Sequence, residues 1–314
     1  ISVPRIDSAL LFDPPIVGDS KLNFENEPDR KPVYDLDDDI QSKHNVKKIY
    51  KRGVEVSCEP ITIIDQNVSI LSELKRFDES RNILKFYGLS KVDDDDVLVF
   101  EWASLGNLKC VYEKKKIPWD LKVKIARDIC QGLLYLSHAD IFHRDVRCEN
   151  IMMTHYMEPK ITNFYLAKHA TEIGHDNEDG NISDYILRII NWYAPEMMQK
   201  NAIYTHECEV FRVPYEKMSK EEIVTHVTNG RRESPDPPFY TLEFLNIQSK
   251  YLRIIAEGWV NKPEKRIRMD DILLRFSDIE ADFTKPKRNN SGSVHSSDQL
   301  DQRSHIRTRA ASVP

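Results

Sequence analysis

The segment "HRDVRCENIMM", residues 143–153, places Asp145, Arg147 and Asn150 in one short loop. A second segment, "ITNFYLAK", residues 161–168, follows with another asparagine, Asn163. By type these are a carboxylate that can take up a proton, a guanidinium suited to a phosphate, and two amide oxygens that can touch a hard cation. So close together they are candidates for one polar site that meets an anion or a cation. They also raise a question, because magnesium is held chiefly by carboxylate and phosphate oxygens, and an amide brings no charge.

The rest of the chain must position these residues. At 314 residues there is room for one large domain or two modest ones with a sizeable core. The charged fraction is 31% and the hydrophobic fraction 40%, against averages of about 25% and about 45–50%, so surplus charge belongs in tails and loops. A net charge of −6 gives no reason to expect nucleic acid. Cys58, Cys110, Cys130, Cys148 and Cys208 are odd in number and lack metal-ligand spacing, which fits a reducing, cytoplasmic compartment. No apolar run approaches the roughly 20 residues that span a bilayer, so no membrane is expected. The start, "ISVPRIDSALLFDPP", lacks the basic and then apolar pattern of a signal peptide, and beginning at Ile1 it reads as a fragment or processed form. Glycine is scarce: the ten present are about half the usual share of roughly 7%, and none forms a Gly-x-Gly.

Four stretches follow from the patterning. Residues 1–38 hold few periodic apolar positions, end in "DLDDD", and are expected to be disordered. Residues 39–103 read as short strands with one helix: "KKIYKRGVEVSCEPI" as two strands about a turn at Lys51–Gly53, "NVSILSELKRF" as a helix, and "KVDDDDVLVFEWA" as an acidic turn entering a buried strand. Residues 104–284 read as mainly helical, with Leu121, Ile125, Ile129 and Leu133 on one helix face. Residues 285–314 are polar and Ser/Arg-rich and are expected to be disordered.

A strand-rich lobe, a hinge at "FEWASLGNL", then a helical lobe with "HRDVRCEN", "NFY", "WYAPE" and a late Arg266 in "PEKRIRM" resemble the protein kinase superfamily. The tyrosine-kinase-like group of serine/threonine kinases is the most similar branch. The resemblance implies an α+β, two-lobed fold over residues 39–284, with a small antiparallel β lobe (39–103) and a mainly helical large lobe (104–284). It implies ATP and Mg²⁺ as cofactors of an active member. It makes Asp145 the base for the substrate hydroxyl, Arg147 the residue that steadies the transferring phosphate, and Asn150 a metal ligand. Glu101, Ala103 and Met152 fall at nucleotide-contacting positions, and Phe100 narrows the back of the adenine pocket. His143 and Phe164 match a stack of side chains with Leu71, and Glu196 and Arg266 match a buried ion pair.

Other positions depart from the family. Ser42, His44 and Lys47 stand where the phosphate-covering loop has glycines. Glu59 stands at the strand lysine and Asn67 at its helix glutamate, with Glu73 a poorly placed substitute. Asn163 replaces the aspartate that bridges magnesium to the phosphates, so Asn150 and Asn163 make at most a weak metal site. Between "HECEVF" (206–211) and "RVPYEKM" (212–218) about a dozen residues of the family's central large-lobe helix, roughly three turns, are missing, and with them the base beneath the catalytic loop. Either the product folds poorly or neighbouring segments repack. Thr171, Ser183 and Tyr185 lie in the activation-loop region as candidate phosphorylation sites, with Arg144 as the family's usual phosphate partner. Ser312, in "RTRAASVP", resembles a 14-3-3 ligand once phosphorylated.

These features predict a pseudokinase, a binding module for other protein kinases or signalling proteins. The alternatives are a weakly active serine/threonine kinase using ATP and Mg²⁺, and a truncated, non-functional isoform.

Overall fold

The computed structural model describes residues 3–14, 46–51, 53–61, 68–76, 80–172, 189–198, 204–209, 219–231 and 244–284. The chain divides into a unit of residues 1–283 and a second of residues 284–314, and beyond the end of its last helix the second unit lies outside the described residues.

The small lobe is an antiparallel sheet in the order β1-β2-β3-β5-β4, built from β1 (Leu11–Phe12), β2 (Val46–Tyr50), β3 (Val54–Pro60), β4 (Phe86–Val92) and β5 (Asp95–Glu101). The turns are where the sequence predicts them. Lys51 and Gly53 take positive φ between β2 and β3, and Asp93 and Asp94 do so between β4 and β5, the left-handed backbone that a tight hairpin needs.

Because side chains alternate across a strand, β5 serves two layers. Leu98 and Phe100 face helix α1 (Val68–Arg76) and join Ile70, Leu71 and Leu74 in the main core. Val56, Cys58, Val97 and Val99 face the other way into a second core, whose cover is Ile6. Of residues 1–38, expected to be mostly disordered, residues 3–14 differ: they are built into the small lobe, and 15–38 lie outside the described residues. Ile6 N–H donates to Leu89 O (2.7 Å) and Leu89 N–H to Pro4 O (2.9 Å). Leu11 and Phe12 then pair with Tyr50 and Ile49. The physical reason is the second face of the sheet, which needs an apolar cover that periodicity within residues 1–38 does not announce. Gly88 permits the close approach, since a Cβ there would lie 2.5 Å from Pro4 O.

In the large lobe, α2 (Leu108–Lys114) is capped by Asn107, whose Oδ1 accepts from Cys110 N–H at 2.9 Å. Helix α3 (Trp119–His138) sends Ile125, Ile129 and Leu133 into the main core. Its other side, Val123, Ala126 and Cys130, packs with Ile254, Ile272 and Phe276 of two later helices. After α3 come β6 (Ile141–Phe142), β7 (Ile151–Met153), β8 (Pro159–Ile161) and β9 (Lys168–His169), with β6 paired to β9 and β7 to β8. The remaining helices are α4 (Lys220–Thr228), started by a Ser219–Glu222 capping box, α5 (Leu245–Gly258) and α6 (Met269–Thr284). The shortened central region falls on residues 210–218, outside the described residues; a 3-10 turn at His206–Glu209 precedes it. Among the described residues no helix is long and apolar enough to cross a membrane.

Ile6 is 9% exposed. Replacing it with alanine should remove about 2–5 kcal/mol in a urea unfolding curve. A change within about 0.5 kcal/mol, the usual effect of a surface substitution, would mean that the segment does not cover this face.

Candidate active site

The loop 143–150 runs from β6 into β7 and is held from beneath. Arg144 is buried and has φ 68°, a left-handed conformation that costs a non-glycine residue about 1–3 kcal/mol. Its backbone N–H donates to Glu209 Oε1 at 2.7 Å, and Tyr204 Oη donates to the same oxygen at 3.3 Å. The Arg144 guanidinium lies 5.5 Å from the centroid of the Tyr204 ring. Glu209, at the end of the 3-10 turn, thus supports the loop, and Arg144, only 6% exposed, packs beside Tyr204. The shortened central region and residues 173–188 of the activation-loop segment, which Arg144 was expected to serve, lie outside the described residues. Burial pushes the Glu209 carboxyl up to about 7, against the opposing pull of the hydrogen bonds from the Arg144 and His143 backbone and the Tyr204 hydroxyl.

His143 is fully buried, and burial lowers its pKa. Its Nδ1 accepts from Asp145 N–H at 3.2 Å, so the ring proton sits on Nε2, which donates to Thr162 O at 2.8 Å. The ring meets Phe164 edge-on at 5.1 Å, and Phe164 shares the main core with Leu71. A neutral imidazole thus ties the loop to the strand that leads to Asn163.

The four polar residues are then brought together. Asp145 Oδ1 accepts from Arg147 Nε at 2.8 Å, and both side chains are buried, at 1% and 7% exposure. The Arg147 guanidinium stacks 5.3 Å from the Trp192 ring. Asn163 Nδ2 donates to Asp145 Oδ2 at 3.3 Å and to Asn150 Oδ1 at 3.0 Å. The orientation of the Asn163 amide follows from its partners. Asp145 offers a carboxylate, and Asn150 Nδ2 already donates to Asp145 O at 2.8 Å, so both atoms facing Asn163 are acceptors and it must present its NH₂. Asn163 thereby turns its NH₂, and not its oxygen, toward Asn150 Oδ1, the atom with which it would have to share a cation. These residues do not fit magnesium: Asn150 Oδ1 accepts from an amide, and the second ligand position carries no charge. Among the described residues no group of three or more His, Cys, Asp or Glu is placed to hold a metal.

Toward the small lobe, Glu59 stands on β3 opposite Leu98, and Ser57 opposite Phe100. Phe100 is buried with its ring 5.3 Å from Phe86. Lys47 Nζ lies 2.8 Å from Glu55 and 4.8 Å over the Trp102 ring at the hinge. Ala103 is buried, the Glu101 side chain pairs with Lys160 at 3.1 Å, and Met152 bridges to Asn107. Glu73 of α1 pairs with His169 of β9 at 3.3 Å. The ion pair of Glu196 with Arg266 is bidentate, both contacts at 2.6 Å. Thr171 is exposed on a 3-10 turn. Ser42, His44, Asn67, Ser183, Tyr185 and Ser312 lie outside the described residues.

Sequence reasoning missed Glu209 as a support and Trp192 as the lid on Arg147. The signal available for Glu209 is a carboxylate in "HECEVF" next to the missing turns, and Glu207 in the same segment offers it equally. Trp192 carried none, because its contact depends on the chain's return to the loop.

The small curled sheet, the helical lobe and the loop between them are those of a protein kinase fold. The chain belongs to that family: the model of the protein tyrosine and serine/threonine kinases matches residues 48–276. Tyrosine-protein kinase csk-1 of Caenorhabditis elegans is 25% identical over 221 residues, 63% of this chain and 37% of that protein. A probable serine/threonine-protein kinase of Dictyostelium discoideum is 26% identical over 243 residues, 72% of this chain and 26% of its own length. Fer-related kinase 1 of Caenorhabditis elegans is 24% identical over 217 residues, 64% of this chain and 51% of that protein. The chain thus matches only part of each relative. Active members of the family use ATP with magnesium.

Glu209 makes a pH prediction. Its pKa rises from 4.5 to about 7 on folding, so its contribution to stability is full below about 4.5 and is lost as pH rises through 7. A Glu209→Gln protein lacks this loss. From pH 5 to 8 the wild type should therefore weaken relative to Glu209→Gln by on the order of 3 kcal/mol in paired denaturation curves. Parallel curves would show that Glu209 is ionised throughout.

Proposed function

We propose that this chain is a pseudokinase, a kinase fold that binds other protein kinases or signalling proteins without transferring phosphate. The observation that carries the reading is Asn163. Its amide donates to both Asp145 and Asn150, the two residues that phosphoryl transfer needs open to substrate and metal. Arg147, which in an active enzyme would face the phosphate, is folded onto Asp145 instead. Glu59 on β3 adds a carboxylate where a triphosphate needs a cation, and like charges repel. A cytoplasmic setting agrees with the free cysteines, and a phosphorylated Ser312 is the proposed contact for a 14-3-3 protein.

A second reading, a weakly active serine/threonine kinase, draws on the assembly of Asp145, Arg147 and Asn150 in one loop. Phosphotransfer from Mg²⁺-ATP to a generic protein substrate separates the two. A pseudokinase gives no more signal than its Asp145→Asn variant. Signal that disappears in Asp145→Asn establishes the enzyme.

The Asn163→Asp protein gives an independent check. It faces Asp145 with a second carboxylate, which costs about 1–4 kcal/mol for like charges about 4 Å apart. Its melting midpoint should fall in a chelator and recover in magnesium, whereas the wild type should ignore the metal. Equal magnesium dependence of the two proteins would contradict the role given to Asn163.

A further inference from the structure

Residues 4–12 lie on the small lobe as a peptide ligand would. Two main-chain bonds tie Pro4 and Ile6 to Leu89 at the outer edge of β4, where Arg5 forms a parallel bridge with Leu89. The hydroxyl of buried Ser90 donates to Ile6 O at 3.1 Å. The segment then crosses in the 3-10 turn Ser8–Leu10, capped by Asp7. It reaches the outer edge of β2, where Lys51 N–H donates to Leu10 O at 3.3 Å and Leu11–Phe12 pair as β1. Between the two edges Ile6 enters a seat of Val56, Cys58, Val97 and Val99, with Leu11 packed against the same group. Arg5, Asp7, Ser8 and Ala9 are exposed. The seat thus reads main chain at both ends and one aliphatic side chain between them. The ladder of β2, β3, β5 and β4 is made by other residues. Were the segment to leave, Leu89 N–H and the Ser90 hydroxyl would lose these partners, and an open strand edge is a template for another extended chain.

We propose that this seat is a docking site for an extended segment of a partner protein, held shut by the chain's own residues 4–12. The segment now in place defines the chemistry of its replacement. A partner needs an aliphatic residue where Ile6 stands, unpaired main chain on both sides of it, and a second apolar residue five positions on, where Leu11 stands. Positions 5 and 8 are open to any side chain, because Arg5 and Ser8 are exposed. An amphipathic helix would not serve, since its main-chain groups are already bonded internally. A partner must displace residues 4–12 first, so its apparent affinity falls in proportion to the fraction of seats that stand empty. This docking site rests on the reading of the chain as a binding module. Phosphotransfer, which separates that reading from an active enzyme, has no part in the test, so either can fail alone.

The test uses the full chain and a fluorescein-labelled peptide of residues 3–14, followed by anisotropy. The wild type is compared with an Ile6→Ser chain, in which the tethered segment is weakened and the seat is intact. The Ile6→Ser chain should bind the peptide about tenfold more tightly than the wild type, or better, the effect of one buried aliphatic side chain. A peptide that itself carries Ile6→Ser should lose binding by a similar factor. A host peptide of serine and alanine that keeps only the isoleucine and the leucine, five positions apart, should bind as the native peptide does. Cys58, beneath the segment, is 1% exposed. Its alkylation, read by mass spectrometry of its own fragment, should be faster in Ile6→Ser and slowed again by the peptide. If the Ile6→Ser chain does not melt cooperatively, Asp7→Ala, which removes the cap of the 3-10 turn at an exposed position, is read the same way. Equal binding by the two chains, or of the two peptides that differ at Ile6, overturns the docking site. Binding of the native peptide without binding of the host peptide overturns the assignment to a partner protein.

Discussion

A primary amide placed between a carboxylate and another amide can satisfy both at once, and Asn163 does so with Asp145 Oδ2 and Asn150 Oδ1. In a buried setting this matters, because each polar group left without a partner would cost about 1–3 kcal/mol. An aspartate at the same position would bring a third acceptor to two acceptors and require a cation among them. With asparagine, the hydrogen-bond network closes without any cation. Arg147 completes the closure by pairing with Asp145 Oδ1 under the cover of Trp192. The loop that defines a kinase by sequence has therefore become a self-satisfied polar core.

The supports around this core are of the same kind. Neutral His143 bridges Asp145 N–H and Thr162 O, and Glu209 fixes the strained backbone of Arg144. Neither contact needs nucleotide or metal. The small lobe is likewise braced from within its own chain, with Ile6 closing the second face of the sheet and Glu73 reaching His169 on β9.

The hairpin at Lys51–Gly53, the acidic turn at Asp93–Asp94 and the core stripe of α3 were legible because each rests on local chemistry: positive-φ turn residues and helical periodicity. The ion pair of Glu196 with Arg266 was legible only through the family pattern. Residues 3–14 were not legible, because Ile6 and Leu11 gain their meaning from a sheet face formed by residues 56–99. The makeup of the polar loop could be read, Asn163 included, but its hydrogen bonds could not. That Asn163 donates to both Asp145 and Asn150 depends on the fold bringing residues 145 and 163 together, as does the support from Glu209.

The central claim is that the loop closes on itself in place of a metal. The most direct measurement is the melting midpoint of the chain in ATP with a chelator and in ATP with magnesium. The account predicts the same midpoint in both. A rise of several degrees only when magnesium and ATP are both present, the size expected for a ligand well above its Kd, would mean that Asn150 and Asn163 part to receive a cation, and would contradict it.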